Sequence, residues 1–170
     1  MSNVLVAYAT AAGSTQEVAE AIGEALRATG LTVDVRAAGK VSDLAGYDAA
    51  VVGSGIRAHR PYAPAQKFVK AHEQVLARMP LACFVVCGAA GEGTPEEDQR
   101  AEGYARLLTA DTALSPVSVG LFGGCINMEK LPKLMGWTLK LIGKGTSGDT
   151  RDWEAIRAWA TELGDKLNVG

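Results

Sequence analysis

The most informative stretch of this chain is Asn3-Val4-Leu5-Val6-Ala7-Tyr8-Ala9-Thr10-Ala11-Ala12-Gly13-Ser14-Thr15. Residues 3–9 form an apolar run rich in β-branched residues, which predicts a buried strand. Residues 10–15 have small or hydroxyl-bearing side chains and one glycine, which predict a loop. Residues 16–26 then place apolar side chains at helical spacing. The chain therefore begins with a strand, a loop and a helix in direct succession.

This loop and helix start together predict a binding site for a phosphate group. Ser14 and Glu17 form a capping-box pattern at the helix N-terminus, where backbone amides lack intrahelical acceptors. Such amides, the nearby hydroxyls and the helix dipole favour an anion. Residues 10–15 include no basic side chain. The predicted ligand therefore carries one phosphate, held without lysine or a metal ion.

Strand and helix patterns alternate along all 170 residues. Strands are predicted at 3–9, 32–36, 48–54, 81–87 and 117–122. Helices are predicted at 16–26 (with Ser14 as the capping residue), at 64–79, from 95 to before 115, and from about 152 to 167. This alternation predicts an α/β fold in which helices cover both faces of a parallel sheet. We expect a single domain, 1–170, with an insert at about 125–148 between the fifth strand and the last helix.

Composition and cysteine spacing exclude several classes of function. The net charge of −2 argues against general nucleic-acid binding. The three cysteines show neither disulfide nor metal-ligand spacing, so we expect small buried side chains in a reducing compartment. No secretory signal precedes the first strand, and the longest apolar run, 81–91, is shorter than the roughly 20 residues that cross a bilayer. These features predict a cytoplasmic protein.

Three loops follow the carboxyl ends of predicted strands, where ligands bind in open parallel sheets. They are 10–15, 54–62 and 88–93, and all three are rich in glycine, alanine and serine. Loops of this composition allow the backbone to approach a flat ligand closely. Three of them at one edge favour a ligand site over a coincidence of tight turns.

These residues resemble the flavodoxin superfamily, whose phosphate loop has the form T-x-x-G-x-T. The resemblance covers nearly the whole chain. Several segments resemble most the branch of menaquinone-dependent protoporphyrinogen IX dehydrogenases: Gly53-Ser54-Gly55-Ile56-Arg57, Phe68-Val69-Lys70-Ala71-His72, Thr94-Pro95, Asp152-Trp153-Glu154 and the insert. The resemblance implies a three-layer sandwich with strand order 2-1-3-4-5 and noncovalent FMN as the cofactor.

The resemblance also implies a role for each matching position. The FMN phosphate would be held by Thr10, Ala11, Ala12, Gly13, Ser14 and Thr15. One side of the isoalloxazine ring would be lined by Ser54, Gly55, Ile56 and Arg57. The other side would be lined by Gly88, Ala89, Ala90 and Gly91. A Gly55 carbonyl turned toward flavin N5 would then set the redox potential, because glycine reorients its peptide plane cheaply.

Two positions depart from the usual flavodoxin pattern. Ala12 stands where a hydroxyl residue is usual, which would remove one phosphate contact. The loops flanking the ring offer only Tyr62 as an aromatic residue. A ring left uncovered on one face would admit a flat substrate.

Two cationic features bear on partners. One is the group Arg57, His59 and Arg60, which is expected beside the flavin ring. It would either bind an anionic group, with Arg57 as the candidate catalytic residue, or form a solvated cationic loop. The insert carries four lysines between residues 130 and 144 among leucines and a tryptophan. This pattern indicates a peripheral membrane contact on the inner face, a lid for a quinone, or a helix packed on the sheet or in a dimer. The oligomeric state stays open.

Three functions are compatible with these features. The first is electron transfer by FMN to and from a redox partner protein. The second is an FMN-dependent protoporphyrinogen IX dehydrogenase that passes electrons to menaquinone at a membrane surface. The third, favoured least because the phosphate loop is nearly complete, is a binding module that has lost flavin.

Overall fold

Five parallel strands and their crossover helices make up the computed structural model, which describes residues 2–88, 94–124 and 149–169. The strands are β1 Asn3–Ala9, β2 Thr32–Ala37, β3 Ala49–Arg57, β4 Arg60–Pro61, β5 Leu81–Val86 and β6 Ser118–Phe122. The helices are α1 Ser14–Ala28, α2 Ala63–Ala71, α3 Glu73–Leu76, α4 Pro95–Arg106 and α5 Trp153–Leu167, with a 3₁₀ turn at Ala38–Lys40. The short strand β4 is antiparallel to β3.

The parallel strands lie in the order β2-β1-β3-β5-β6. This is the predicted order 2-1-3-4-5 once β4, which the sequence did not predict, is left out of the numbering. The register aligns the carboxyl ends of neighbouring strands: Ala9 lies beside Ser54, Gly55 beside Val86, and Val86 beside Phe122. The loops that follow these strands therefore meet at one edge of the sheet.

Each face of the sheet has its own apolar core, as side-chain alternation along the strands requires. Val4 and Val6 of β1 point toward α1 and α5, into a cluster that includes Ile22 and Leu163. Leu5 and Ala7 point to the opposite face, into a cluster with residues of α2 and α4. The predicted three-layer arrangement is confirmed.

The segment predicted as a loop after β3 is a β-hairpin. Ile56 pairs with Pro61 and Arg57 with Arg60, so only Ala58 and His59 form the turn. Both turn residues adopt positive φ, 50° and 62°. Two-residue hairpin turns of this kind usually contain asparagine, aspartate or glycine. The loop prediction was wrong because Ala-His carries no such signature.

Helix termini differ from the sequence prediction at two places and agree at two. Gly13, with φ of 92°, caps α1, so Ser14 is the first helical residue and not the capping side chain. The helix predicted over 64–79 breaks at His72 into α2 and α3. Thr94 and Asp152 do cap α4 and α5, each accepting a hydrogen bond from a backbone amide three residues on.

His72 packs against the ring of Phe68, with centroids 4.8 Å apart, in keeping with a structural role. Cys83 and Cys87 are both buried, as the sequence predicts. Among the described residues, no helix is both long enough and apolar enough to cross a membrane. No metal-binding cluster occurs in those same ranges.

Candidate functional site

The loop 10–15 joins the carboxyl end of β1 to the first turn of α1. The Gly13 amide donates to Oγ1 of Thr10 at 2.9 Å, and the Glu17 amide donates to the Gly13 carbonyl at 3.2 Å. The left-handed φ of Gly13 is the conformation that glycine adopts without a steric penalty. Thr10 and Gly13 therefore fix the path of the loop into the helix.

The first turn of α1 presents donors toward this loop. The amides of Ser14, Thr15 and Gln16 precede the first intrahelical hydrogen bond and have no acceptor within the helix. Thr15 is buried, whereas Thr10, Ala12, Gly13 and Ser14 are partly exposed and Ala11 is exposed. Such a helix start, without a side-chain cap of its own, is suited to an anion.

Gly55 packs directly against the loop and against Tyr62. A Cβ added at Gly55 would lie 2.7 Å from Cε2 of Tyr62 and 2.9 Å from Oγ1 of Thr15. Contacts this short are not tolerated, so the close approach of β3 to α1 requires glycine here. Sequence analysis selected Gly55 for its peptide flexibility, whereas the structure gives it a packing role.

Ser54 holds the neighbouring backbone in place. Its side chain is fully buried, its hydroxyl donates to the Gly55 carbonyl at 2.7 Å, and it accepts from the Tyr62 amide at 2.9 Å. This pair of bonds ties β3 to the segment after the hairpin. Any turning of the Gly55 carbonyl toward a ligand has to break the bond from Ser54.

The other residues predicted to line the ring lie at the same edge of the sheet, as far as the structure describes them. Ile56 is half-buried and Arg57 is exposed, both at the end of β3. Gly88 is exposed just after β5, with nothing within 4 Å of an added Cβ. Ala89, Ala90 and Gly91 lie outside the described residues.

The hairpin places two arginines opposite each other beside the site. Arg57 and Arg60 are directly paired and exposed. Like charges in this arrangement repel and destabilise a strand pair. His59, at the turn, contacts α4 through its Nδ1, which lies 2.7 Å from the Tyr104 hydroxyl. The hairpin is thus held toward α4, with its positive charge facing solvent.

Sequence reasoning missed a charged cluster at the start of α1. Arg151, whose side chain is only 8% exposed, forms ion pairs with Asp149 and with Glu17 of the first turn of α1. Its Nε and Nη2 lie 2.8 and 2.7 Å from the two carboxylate oxygens of Asp149. The guanidinium also lies 4.6 Å from the ring centroid of Trp153.

The ion pairs shift the ionisation of this cluster. The hydrogen bonds from Arg151 lower the pKa of Asp149, outweighing partial desolvation. The hydrogen bonds to Asp149 raise the pKa of Arg151. Asp149 and Arg151 are therefore both charged at neutral pH. No spacing rule brings Arg151 to Glu17, because the two are 134 residues apart in the chain.

Some predicted features lie outside the residues that the structure describes. The insert at 125–148, with the proposed contact at 130–144, lies outside the described residues. Glu96, Glu97 and Asp98, which are not predicted site residues, lie in the first turn of α4, and Glu97 pairs with Arg100 at 3.0 Å. A cavity of about 480 Å³ lies at the β2 edge and is lined by residues such as Asp34 and Tyr47, none of them a predicted site residue.

The described residues fit the phosphate of FMN. The loop 10–15 offers free amides and hydroxyls, Gly13 turns the chain into the helix, and Gly55 allows β3 to lie against Thr15. A family model described as a flavodoxin domain matches residues 5–152. The chain belongs to the flavodoxin family. FMN is accordingly its cofactor and oxidation–reduction its chemistry.

Curated relatives and solved structures agree with this assignment. The protoporphyrinogen IX dehydrogenase [quinone] of Escherichia coli strain K12 is 26% identical to this flavodoxin family member over 172 residues, spanning 94% of this chain and 93% of the relative. Flavodoxin 1 of Bacillus cereus is 16% identical, with a TM-score of 0.61, covering 98% of this chain and 100% of that one. A short-chain flavodoxin associated with a PDU bacterial microcompartment is 14% identical, with a TM-score of 0.65, covering 99% and 100%. The two structures share the fold.

Proposed function

We propose that this flavodoxin family member transfers electrons through FMN whose phosphate binds in the loop 10–15. The ring would lie between the end of β3, at residues 54–57, and the loop that begins at Gly88. The observation that carries this proposal is the contact of Gly55 with Thr15 and Tyr62. It brings the end of β3 against the start of α1, so that a single ligand can reach both.

Each part of the chain would contribute a separate task. The amides of Ser14, Thr15 and Gln16 would bind the phosphate, and the buried Ser54 would keep the end of β3 rigid through its bonds to Gly55 and Tyr62. Bound FMN supplies the exchange of one or two electrons. Arg57, exposed at the end of β3, would attract an anionic group to this edge.

The redox partner is a protein or a quinone, and two candidates follow from different observations. A carrier would exchange electrons with a partner protein. A dehydrogenase would oxidise protoporphyrinogen IX and reduce a quinone, as the name of the Escherichia coli relative says of that protein. The match to that relative spans nearly both chains. The opposed Arg57 and Arg60 would bind the carboxylates of such a substrate.

The insert would determine where the electrons go. Its segment 130–144 combines lysines with leucines and Trp137, a composition that favours peripheral contact with an anionic membrane surface. Contact of this kind would bring a lipid-soluble quinone within reach. We expect the Lys130–Lys144 segment to raise cosedimentation of the protein with anionic liposomes, and equal binding without it would remove this part of the proposal.

Anaerobic assays of the FMN-loaded protein separate the two candidates. Turnover of protoporphyrinogen IX with menaquinone, reduced at least tenfold in the Arg57→Ala/Arg60→Ala variant, would support the dehydrogenase. Arg106→Ala is the matched control, because the Arg106 side chain is 82% exposed on α4 and pairs only weakly with Glu102 at 3.9 Å. Absence of turnover together with a long-lived one-electron-reduced flavin on photoreduction would support the carrier. Failure to bind FMN at all would leave the flavin-free binding module.

A further inference from the structure

The cluster of Glu17, Asp149 and Arg151 lies at the helix start that the proposed function assigns to the phosphate. Glu17 belongs to the first turn of α1, and its own amide closes the first intrahelical hydrogen bond. Its carboxylate therefore lies at the same positive helix end as the free amides of residues 14–16. A phosphate bound there would meet a like charge one turn away.

Arg151 offsets this charge. It pairs with Glu17 through Nη1, and its Nε and Nη2 donate two hydrogen bonds to the Asp149 carboxylate. The ring of Trp153, at the start of α5, lies 4.6 Å from it. The side chain is only 8% exposed, whereas that of Glu17 is 57% exposed. The buried Arg151 side chain is thus held in one place by its surroundings, and the exposed Glu17 side chain is positioned by its bond to Arg151.

The segment that carries Arg151 is itself anchored. The amide and the hydroxyl of Thr150 donate to the Gly124 carbonyl at 3.0 and 2.8 Å. Asp152 caps α5 by accepting from the Ala155 amide at 3.0 Å. Hydrogen bonds on both sides of Arg151 therefore tie its segment to the chain just after β6 and to the start of α5.

We propose that Arg151 is a positioning residue for phosphate selectivity, which acts by pairing with Glu17 and so reducing the negative charge at the start of α1. It does not touch the phosphate in this proposal. The inference rests on the proposed placement of FMN and adds a residue outside the loop 10–15. It explains how a phosphate site without a basic residue in its loop tolerates a glutamate in the adjoining helical turn.

The test is the ratio of the dissociation constants for riboflavin and FMN, measured by quenching of flavin fluorescence. The two ligands differ only in the phosphate, so a general loss of structure lowers both affinities and leaves the ratio unchanged. Arg151→Gln should lower the preference for FMN about three- to tenfold at low salt, and Glu17→Gln should raise it by a similar factor. The Glu17→Gln/Arg151→Gln double variant should return to within about twofold of the parent. The effects should shrink as salt rises.

Glu24→Gln is the matched control, since it removes the same charge from an exposed position on α1. Glu24 lies seven residues beyond Glu17, about 10 Å along the helix, so its substitution should leave the ratio nearly unchanged at 0.1 M salt. Equal weakening of FMN and riboflavin by Arg151→Gln would overturn the inference in favour of a purely structural role. If the double variant prefers FMN as weakly as Arg151→Gln does, the inference is overturned in favour of direct contact between Arg151 and the phosphate. A parent protein that shows no preference for FMN would instead contradict the proposed function, before any substitution is made.

Discussion

Gly55 determines how closely two parts of the site approach each other. An added Cβ would collide with Tyr62 on one side and with Thr15 on the other. The residue lies within β3 and pairs with Val86 of β5, so it has no freedom to move away from both. Its missing side chain is what allows the end of β3 to lie against the proposed phosphate loop.

Substitution Gly55→Ala should therefore weaken both folding and binding. We expect a loss of about 1–3 kcal/mol in the free energy of unfolding, the usual effect of overpacking, and about a tenfold loss in FMN affinity. Urea unfolding and fluorescence titration measure the two effects. Gly39→Ala is the control, because a Cβ there meets nothing within 4 Å. Identical behaviour of the two variants would contradict the packing role of Gly55.

Cys83 predicts a specific alkaline sensitivity. Burial in β5 raises the pKa of its thiol from 9.0 to about 12. The folded state thus retains the proton where the unfolded state releases it, so the contribution of the neutral thiol is complete below pH 9 and is lost as pH rises toward 12.

We expect the free energy of unfolding of the parent protein to fall faster over that window than that of Cys83→Ala. The extra slope is at most about 1.4 kcal/mol per pH unit. Denaturant titrations at several pH values between 8 and about 11.5 measure it. A constant difference between the two proteins across that range would show that the thiol does not titrate as its burial implies.

At the scale of elements, the β3–β4 hairpin combines backbone strain with a pair of like charges. Its turn residues Ala58 and His59 both adopt positive φ, which costs L-residues other than asparagine and aspartate about 1 kcal/mol or more. The same hairpin carries the opposed Arg57 and Arg60. Strain and like-charge repulsion in one short element are expected where the element presents residues to a partner.

Relieving the strain should stabilise the protein. Ala58→Asn is expected to raise the free energy of unfolding by about 0.5–1 kcal/mol, because asparagine tolerates the left-handed region. Ala58→Val, with a branched Cβ, should have the opposite sign. Urea unfolding with an unchanged m-value is the measurement. Equal stabilities for the asparagine and valine variants would contradict the assignment of this turn.

Apolar periodicity predicted the five parallel strands and the main helices, because burial determines both patterns. It did not predict this hairpin, since alanine and histidine are not turn residues. The capping-box pattern of Ser14 and Glu17 predicted Ser14 as the α1 cap, whereas Gly13 is the capping residue in the structure. The break at His72 gave no signal, because the amphipathic pattern continues from α2 into α3. Val75, an apolar residue within the single helix predicted over 64–79, is 43% exposed in α3.

At the scale of the whole molecule, the described ends of the insert lie together. Thr150 bonds to the Gly124 carbonyl twice, and a Cβ added at Gly123 would lie 2.2 Å from the Thr150 carbonyl oxygen. The chain thus leaves and rejoins the domain at one point, just beyond β6.

Replacing residues 126–148 by a linker of about eight glycine and serine residues should preserve the fold and FMN binding. A short connection suffices because the two ends are already adjacent. We expect the melting temperature to change by no more than about 4 °C, while electron transfer to a quinone in liposomes falls at least tenfold if the insert contacts the membrane. Circular dichroism and flavin titration check the first expectation. A variant that fails to fold would show that the insert is part of the core.

The ion pair between Arg151 and Glu17, which are far apart in the chain, is the part of the site that could not be predicted from the sequence. The T-x-x-G-x-T loop and the glycines in the last part of β3 are local patterns and were recognised as such. The pairing of Arg151 with Glu17 depends on how the segment just before α5 lies against α1, and it leaves no periodicity in the chain. Such contacts become visible only after the fold is known.

The most direct test of the account is a crystal structure of the protein grown with FMN. The account predicts the phosphate within hydrogen-bond distance of the amides of Ser14, Thr15 and Gln16, with the ring beside residues 54–57. A flavin bound elsewhere, or a phosphate pointing into solvent while the start of α1 stays empty, would contradict it.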